Sequence, residues 1–362
     1  MQPRQGNPTD KNKYVPAPAP HGWQCWGHHA AVETLQRAVA TGPQHAYIVG
    51  GPEHVGKTTL ALAFAQALIC PCRSDFGAGC GECATCRRVA RWVHPDVTRF
   101  DLELQALDEK GSGKHTTLTI ETVRAVTASL GLRPLEGDWR VVVLDDVETM
   151  QRPAQEAFLK TLEEPPPYAV IMMLVSDPDV LLSTVRSRCH EMLLQPVPEA
   201  TIRASLEAAG VEPLSATELA ALSSGLPGWA FRAANDPVLR TARAEMQAEA
   251  TQWLGETTYS RTVRAVLLAD QFGRDRAGVC ERLDILLGLW RTLLMQRLGV
   301  MPVADAGGDG TGAYMSVAAL SIPQLVAAVR SVQTCKQDLL ANVRPRLAME
   351  SMVLSWPTLT GE

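Results

Sequence analysis

Four cysteine residues are placed at a spacing that is typical of a metal site. Cys80, Cys83 and Cys86 follow one another at intervals of three residues, and Cys70 lies ten residues before the first of them. Four thiolates complete the tetrahedral shell that Zn²⁺ prefers and leave no position for water or substrate, so we predict a structural zinc site. Cys72 competes with Cys70 for the fourth position, and buried or disulfide-paired thiols are the alternative to a metal.

A phosphate-binding loop precedes the cysteines. Residues 51–58 read GPEHVGKT, after a short apolar run at 46–50 that predicts a buried strand. A strand, this loop and a helix in that order are the context in which backbone N–H groups cradle phosphates. Lys57 would reach the terminal phosphates and Thr58 would hold Mg²⁺, so we predict that the loop binds ATP with Mg²⁺. The candidate nucleotide-binding residues are Gly51, Gly56, Lys57, Thr58 and Thr59.

Polar residues follow two further apolar runs. Asp145 ends the run at 140–145 and Asp146 follows it, and Ser176 follows the run at 169–175. Since the carboxyl ends of parallel strands face the nucleotide, we expect Asp145 to position Mg²⁺ through water and Asp146 to polarise an attacking water. Ser176 would sense the terminal phosphate. The alternatives are acids that cap the next helix and a simple turn at Ser176.

Composition narrows the class of protein. The chain has 362 residues, enough for two or three domains, and a formal net charge of −5, which argues against a surface that grips nucleic acid everywhere. Nine cysteines, without an apolar run of membrane-spanning length, favour a reducing cytoplasm and no membrane role. The first 21 residues are rich in Pro, Gln, Asn and Lys, which predicts disorder.

Two segments resemble a known family. The run AQEAFLKTLEEPP at 154–166 and the Ser-Arg-Cys at 187–189 resemble the signature of bacterial clamp-loader subunits, the AAA+ ATPases that open the sliding clamp for DNA polymerase III. The phosphate loop and the cysteine knuckle agree with this resemblance. It covers roughly 22–240, and residues 342–350 resemble the end of the helical collar through which such subunits assemble.

The resemblance implies an α/β fold followed by an all-α part. We expect an AAA+ P-loop parallel-sheet domain with an inserted zinc knuckle, then a small helical lid and a C-terminal helical collar. The expected boundaries are 1–21 for the disordered segment, 22–195 for the nucleotide-binding domain with its knuckle at 70–86, 196–240 for the lid and 241–362 for the collar.

Two kinds of subunit share these marks, the gamma or tau motor and the delta prime subunit. Motor subunits carry Asp-Glu where this chain has Asp145 and Asp146, and an arginine in the lid where this chain has Gly228. Both differences favour the delta prime type, with ATP bound and hydrolysed weakly or not at all. The intact loop at 51–58 favours the motor type instead.

The resemblance also implies partners and a role for Arg188. In a ring of such subunits, Arg188 would project toward a neighbour's nucleotide, where its guanidinium stabilises charge on the transferring phosphoryl group. The partners would be the delta and gamma or tau subunits in a hetero-oligomeric ring, with the sliding clamp and primed DNA reached through the complex. An unrelated P-loop ATPase that touches nucleic acid near its knuckle is the remaining alternative, on the strength of Arg87, Arg88 and Arg91.

Overall fold

The computed structural model describes residues 22–23, 25–74, 77–102, 117–300, 320–341 and 343–357. Contacts divide the chain into two compact units, 1–236 and 237–362. The predicted disordered segment at 1–21 lies outside the described residues, as does residue 342 in the stretch that resembles the end of a collar.

The first unit is built on a five-stranded sheet. The strands are β1 (Ala46–Gly50), β2 (Val97–Phe100), β3 (Arg140–Leu144), β4 (Ala169–Val175) and β5 (His190–Leu193). They are ordered β2-β3-β4-β1-β5, and every neighbouring pair is parallel. The predicted strands at 46–50, 140–145 and 169–175 are therefore confirmed.

Nine helices of this unit lie among the described residues. Six belong to the sheet region, namely α1 (His29–Thr41), α2 (Lys57–Ile69), α3 (Ala84–Ala90), α4 (Ile120–Gly131), α5 (Arg152–Glu163) and α6 (Ser183–Arg186). The remaining three form the expected lid region and are α7 (Glu199–Ala208), α8 (Pro213–Leu222) and α9 (Pro227–Asn235). Short 3-10 turns occur at Val147–Thr149 and Pro178–Val180.

Alternation along the strands creates a core on each face of the sheet. Tyr47 and Val49 of β1 pack in one apolar cluster together with α2, whereas Ile48 packs in another with α4 and α5. Successive side chains of a strand point to opposite faces, so uninterrupted apolar strands need cover on both sides. This is why continuous apolar runs, rather than alternating ones, mark the strands in the sequence.

The second unit is helical. Its described helices are α10 (Pro237–Gly255), α11 (Thr258–Gln271), α12 (Arg276–Arg297), α13 (Ile322–Leu340) and α14 (Pro345–Leu354). Trp356 packs against Trp253 and Trp290, with ring centroids 5.5 and 5.4 Å away. A search of the described residues found no helix with the length and apolar character needed to cross a membrane.

A buried carboxylate holds the turn that leads into β3. Asp96 is fully buried and accepts hydrogen bonds from the backbone N–H groups of Leu135 (2.7 Å), Glu136 (2.8 Å) and Gly137 (3.1 Å). The guanidinium of Arg140, the first residue of β3, lies 3.8 Å from the same carboxylate. Since Asp145 follows β3, this interaction also helps to position one of the predicted site residues.

We predict that Asp96→Ala lowers the free energy of unfolding by about 3 kcal/mol, because it leaves three backbone donors without their acceptor and the buried Arg140 without its counter-charge. Urea denaturation followed by circular dichroism measures this loss. The matched control is Asp138→Ala, an exposed acid in the same turn, which should change stability by less than about 0.5 kcal/mol. Equal losses of stability in the two variants would contradict the conclusion that the Asp96 carboxylate holds this turn.

Candidate nucleotide-binding site and cysteine cluster

The loop after β1 has the backbone geometry of a phosphate cradle. Gly51 has a φ of +149°, and a Cβ built on it would lie 2.6 Å from the carbonyl oxygen of Leu194. Gly56 is left-handed at φ +114° and caps the N-terminus of α2. The first N–H groups of α2 therefore face the loop, which is a favourable environment for an anion.

Two hydrogen bonds brace this loop. The buried His28 donates from Nε2 to the carbonyl of Val55 at 2.9 Å, and the backbone N–H of Gly228 in α9 donates to the carbonyl of His54 at 2.8 Å. A Cβ on Gly228 would also lie 2.8 Å from that oxygen. The close approach of the lid to the loop is thus a physical reason for glycine at position 228.

Lys57 lies against its own loop. Its Nζ donates to the carbonyls of Gly51 (2.7 Å) and Pro52 (3.1 Å). Burial lowers the pKa of Lys57, while nearby acids raise it, Glu148 first and Asp145 next. The ammonium therefore has both a backbone cradle and acidic neighbours.

The structure brings the two predicted Mg²⁺ residues together. The Thr58 hydroxyl donates to Oδ2 of Asp145 at 3.4 Å, although the two residues come from α2 and from the end of β3. A hydroxyl and a carboxylate are oxygen ligands of the kind that Mg²⁺ takes, so this pair fits the ion. The same oxygen also accepts a hydrogen bond from Nη2 of Arg99 at 3.1 Å. Arg99 was not identified from the sequence, because only the pairing of β2 with β3 places it there.

The carboxyl group of Asp146 has a different partner from that of Asp145. Its backbone is left-handed, with φ 56° and ψ 30°, and its Oδ2 lies 3.5 Å from the N–H of Leu102. Burial and the charge of Asp145 raise the pKa of Asp146 to about 6. The carboxyl thus contacts the segment after β2.

Ser176 has a partner that the sequence did not indicate. Its hydroxyl donates to Oε1 of Glu148, which lies in the 3-10 turn after Asp146. Glu148 is also the acid that most strongly favours the charged form of Lys57. The helical turn at Val147–Thr149 brings Glu148 back beside the tip of β4, and no spacing rule along the chain predicts this return.

The cysteine cluster forms between α2 and α3. The sulfur atoms of Cys70, Cys80, Cys83 and Cys86 all lie within 4.8 Å of one another, whereas Cys72 is exposed and lies outside the group. Backbone N–H groups donate to three of these sulfurs, from Cys80 to Cys70 (3.5 Å), from Cys83 to Cys80 (3.4 Å) and from Cys86 to Cys83 (3.3 Å). The bond from Cys83 is the main reason that the pKa of Cys80 falls to about 7.

These N–H groups favour thiolates, so four convergent sulfurs with such donors fit a tetrahedral metal ion. The cluster is also tied to the nucleotide-binding domain, because Gln66 of α2 donates through Nε2 to the carbonyl of Cys86 at 3.0 Å. The arrangement is closed by four sulfurs, which is typical of a structural site.

Arg188 lies away from this site. It precedes β5, donates from Nη1 to the carbonyl of Thr184 at 2.8 Å, and forms an ion pair with Glu163 at 2.7 Å. Its side chain is 35% exposed. Tyr47 pairs with His190 in the sheet, so Arg188 lies beside the start of β1, whereas the loop follows the end of β1.

Taken together, the parallel sheet, the phosphate loop after β1, the three-helix lid and the cysteine cluster define the class. The chain carries an AAA+ type α/β nucleotide-binding domain with an inserted cysteine knuckle, followed by a helical part. The predicted fold class is confirmed.

Relatives show more closely what the chain resembles. Residues 27–198 match the family model described as DNA polymerase III, delta subunit. The delta prime subunit of DNA polymerase III from Pseudomonas aeruginosa is 36% identical over 188 residues, which are 51% of this chain and 53% of that protein. The tau/gamma subunit from Haemophilus influenzae is 30% identical over 158 residues, 44% of this chain and 21% of that protein. The resemblance to bacterial clamp-loader subunits of the delta prime type, close to gamma and tau, is confirmed.

These matches cover part of each protein. The delta prime subunit from Escherichia coli is 32% identical over 155 residues, which are 43% of this chain and 43% of that protein. The chain therefore spans about half or less of the length of these curated relatives. A solved gamma subunit-related protein from Thermotoga maritima covers 90% of this chain and 97% of its own, at 18% identity and a TM-score of 0.37.

We predict that Cys70→Ser removes most of the bound metal, since loss of one thiolate opens the shell, while Cys72→Ser keeps it. Elemental analysis of the purified variants, before and after dialysis against a chelator, measures both the amount and the identity of the metal. Retention by the Cys70 variant with loss from the Cys72 variant would show that the ligand set is wrong.

Proposed function

We propose that this chain is a delta prime-type subunit of a DNA polymerase III clamp loader and helps to load the sliding clamp onto primed DNA with ATP. Its partners would be delta and gamma or tau subunits in a hetero-oligomeric ring. The observations that carry the proposal are the 36% identity to a delta prime subunit over 188 residues and the family-model match at 27–198, which includes the phosphate loop and Arg188. The cytoplasmic location predicted from the composition accords with this role.

The chain's own nucleotide site would bind ATP and turn it over slowly or not at all. Binding is supported by the cradle at Gly51 and Gly56 and by the pairing of Thr58 with Asp145. Slow turnover is supported by Asp146, whose carboxyl is engaged by the N–H of Leu102 at 3.5 Å and is therefore not free to direct a water. A base that polarises water works best when it is ionised and free to reach the water.

Zn²⁺ is the metal that we propose for the four cysteines, because it prefers a closed tetrahedron of thiolates in structural sites. Thr58 and Asp145 are the residues that would hold Mg²⁺ in a motor-type site, where the ion neutralises phosphate charge; in this chain Asp145 also accepts a hydrogen bond from Arg99. Ser176, joined to Glu148, would face the terminal phosphate from the tip of β4.

Arg188 would act on a neighbouring subunit. The strands are parallel and His190 pairs with Tyr47, so Arg188 precedes the level of Tyr47, whereas Gly51 lies four residues beyond it, roughly 13 Å at the usual rise per residue. That separation argues against contact with the chain's own nucleotide. The ion pair with Glu163 holds the guanidinium at the surface, where a second subunit can reach it.

A gamma or tau type motor subunit is the second candidate function, and the intact phosphate loop with its Thr58–Asp145 contact favours it. An unrelated P-loop ATPase that binds nucleic acid near the knuckle has less support. Of the three arginines beside the knuckle, Arg88 donates to both oxygens of Glu136, so its charge is already paired on this chain.

The helical second unit offers a surface for assembly. Tyr259, Val263 and Leu267 recur every fourth residue along α11, and their exposed fractions are 79%, 41% and 58%. Residues four apart lie on one face of a helix, so these three form an exposed apolar stripe. We propose that this stripe packs against the collar of a neighbouring subunit.

We predict that Arg188→Ala lowers the DNA-stimulated ATPase of a reconstituted clamp loader by about tenfold or more and leaves assembly intact, because arginine fingers contribute roughly 10³ to 10⁵ in rate. ATPase is measured on the purified complex, and assembly by gel filtration. Arg203→Ala, an exposed arginine in α7, is the matched control. An unchanged ATPase in the Arg188 complex would refute the finger.

We predict that the double change Val263→Ser and Leu267→Ser reduces co-purification with delta and gamma or tau, since it removes apolar area from the stripe without opening a core. Pull-down of co-expressed subunits measures this loss. Leu214→Ser, which changes a 74% exposed leucine of the lid, should keep full recovery. Failure of even the unmodified chain to recover these subunits would instead favour an unrelated P-loop ATPase.

A further inference from the structure

Arg99 occupies an unusual place for a cation in a nucleotide site. Its Nη2 donates to Oδ2 of Asp145 at 3.1 Å, and its Nε lies 2.9 Å from Oδ2 of Asp101. The guanidinium also lies over the ring of Trp92, 5.6 Å from the centroid. Two carboxylates and an aromatic ring thus hold this cation at the end of β2.

The surroundings of Arg99 strengthen these contacts. The side chains are 26% exposed for Arg99, 17% for Asp145 and 6% for Asp101. Ion pairs shielded from water are less screened than pairs on an open surface, and the planar guanidinium loses little freedom when several partners share it. Arg99 is therefore a fixed positive charge beside Asp145.

Mg²⁺ would have to draw on the same carboxylate. Oδ2 of Asp145 is the atom that accepts from both Thr58 and Arg99. In P-loop proteins the ion is held by the loop hydroxyl and the acid at the end of this strand, which here are Thr58 and Asp145. A divalent cation at that oxygen would be repelled by the guanidinium and would compete with it for the lone pairs.

We propose that the Arg99 guanidinium is a permanent cationic partner of the Asp145 carboxylate. As a positioning residue, it makes nucleotide binding by this chain nearly independent of Mg²⁺. The inference rests on the nucleotide binding put forward under Proposed function. The guanidinium supplies positive charge permanently where motor sites take it from the metal. The loop N–H groups and Lys57 then hold the phosphates without a metal-dependent step.

Calorimetric titration of the full chain with ADP, in excess Mg²⁺ and in EDTA, tests this inference. For the unmodified chain we expect dissociation constants that agree within about threefold, and for Arg99→Met at least about tenfold tighter binding with Mg²⁺ than with EDTA. Arg99→Lys, which keeps a positive charge, should behave like the unmodified chain. Arg124→Met is the matched control, since that arginine is 77% exposed on α4.

The outcomes separate this inference from the proposed nucleotide binding. Strong Mg²⁺ dependence in the unmodified chain overturns it, even if Arg99→Met fails to fold, and so does the same small Mg²⁺ effect in a folded Arg99→Met. Lys57→Ala should abolish binding under both conditions. If the unmodified chain binds no ADP under either condition, the proposed nucleotide binding fails and this inference fails with it, whereas strong Mg²⁺ dependence overturns the inference alone.

Discussion

The parallel pairing of the five strands is the constraint on which the rest of the structure depends. Because every strand runs in the same direction, the carboxyl ends of β1, β3 and β4 meet at one edge. That edge gathers Gly51, Asp145 and Ser176, which are far apart in the chain. The same constraint places Arg188, which precedes β5, toward the opposite edge, away from the phosphate loop.

Charge balance at that edge distinguishes this site from a plain phosphate cradle. Asp145, Asp146 and Glu148 lie near Lys57, and all three favour its charged form. Arg99 adds a second cation, bound to Asp145 and Asp101. These cations offset the acids at this edge, and Asp145 and Asp146 are both engaged by neighbouring groups of the chain.

Contacts at both ends of α2 hold this helix in the first unit. The backbone of the lid approaches the loop so closely that Gly228 has no room for a side chain. On the other side of α2, Gln66 joins the cysteine knuckle to the helix that begins in the phosphate loop. A structural metal in that knuckle would therefore stiffen the far end of the helix whose N-terminus faces the nucleotide.

The sequence by itself determined the three strands that lead into the site, the phosphate loop, the spacing of the cysteines and the resemblance to clamp-loader subunits, because these depend on local periodicity, spacing and motifs. The tertiary structure bore out Cys70 over Cys72, and it alone decided that Asp146 turns toward Leu102 and that Arg99 and Glu148 lie at this edge of the sheet. The reason is physical. Arg99 reaches Asp145 through the pairing of β2 with β3, and Glu148 reaches Ser176 through a 3-10 turn, and neither contact leaves a regular spacing in the chain.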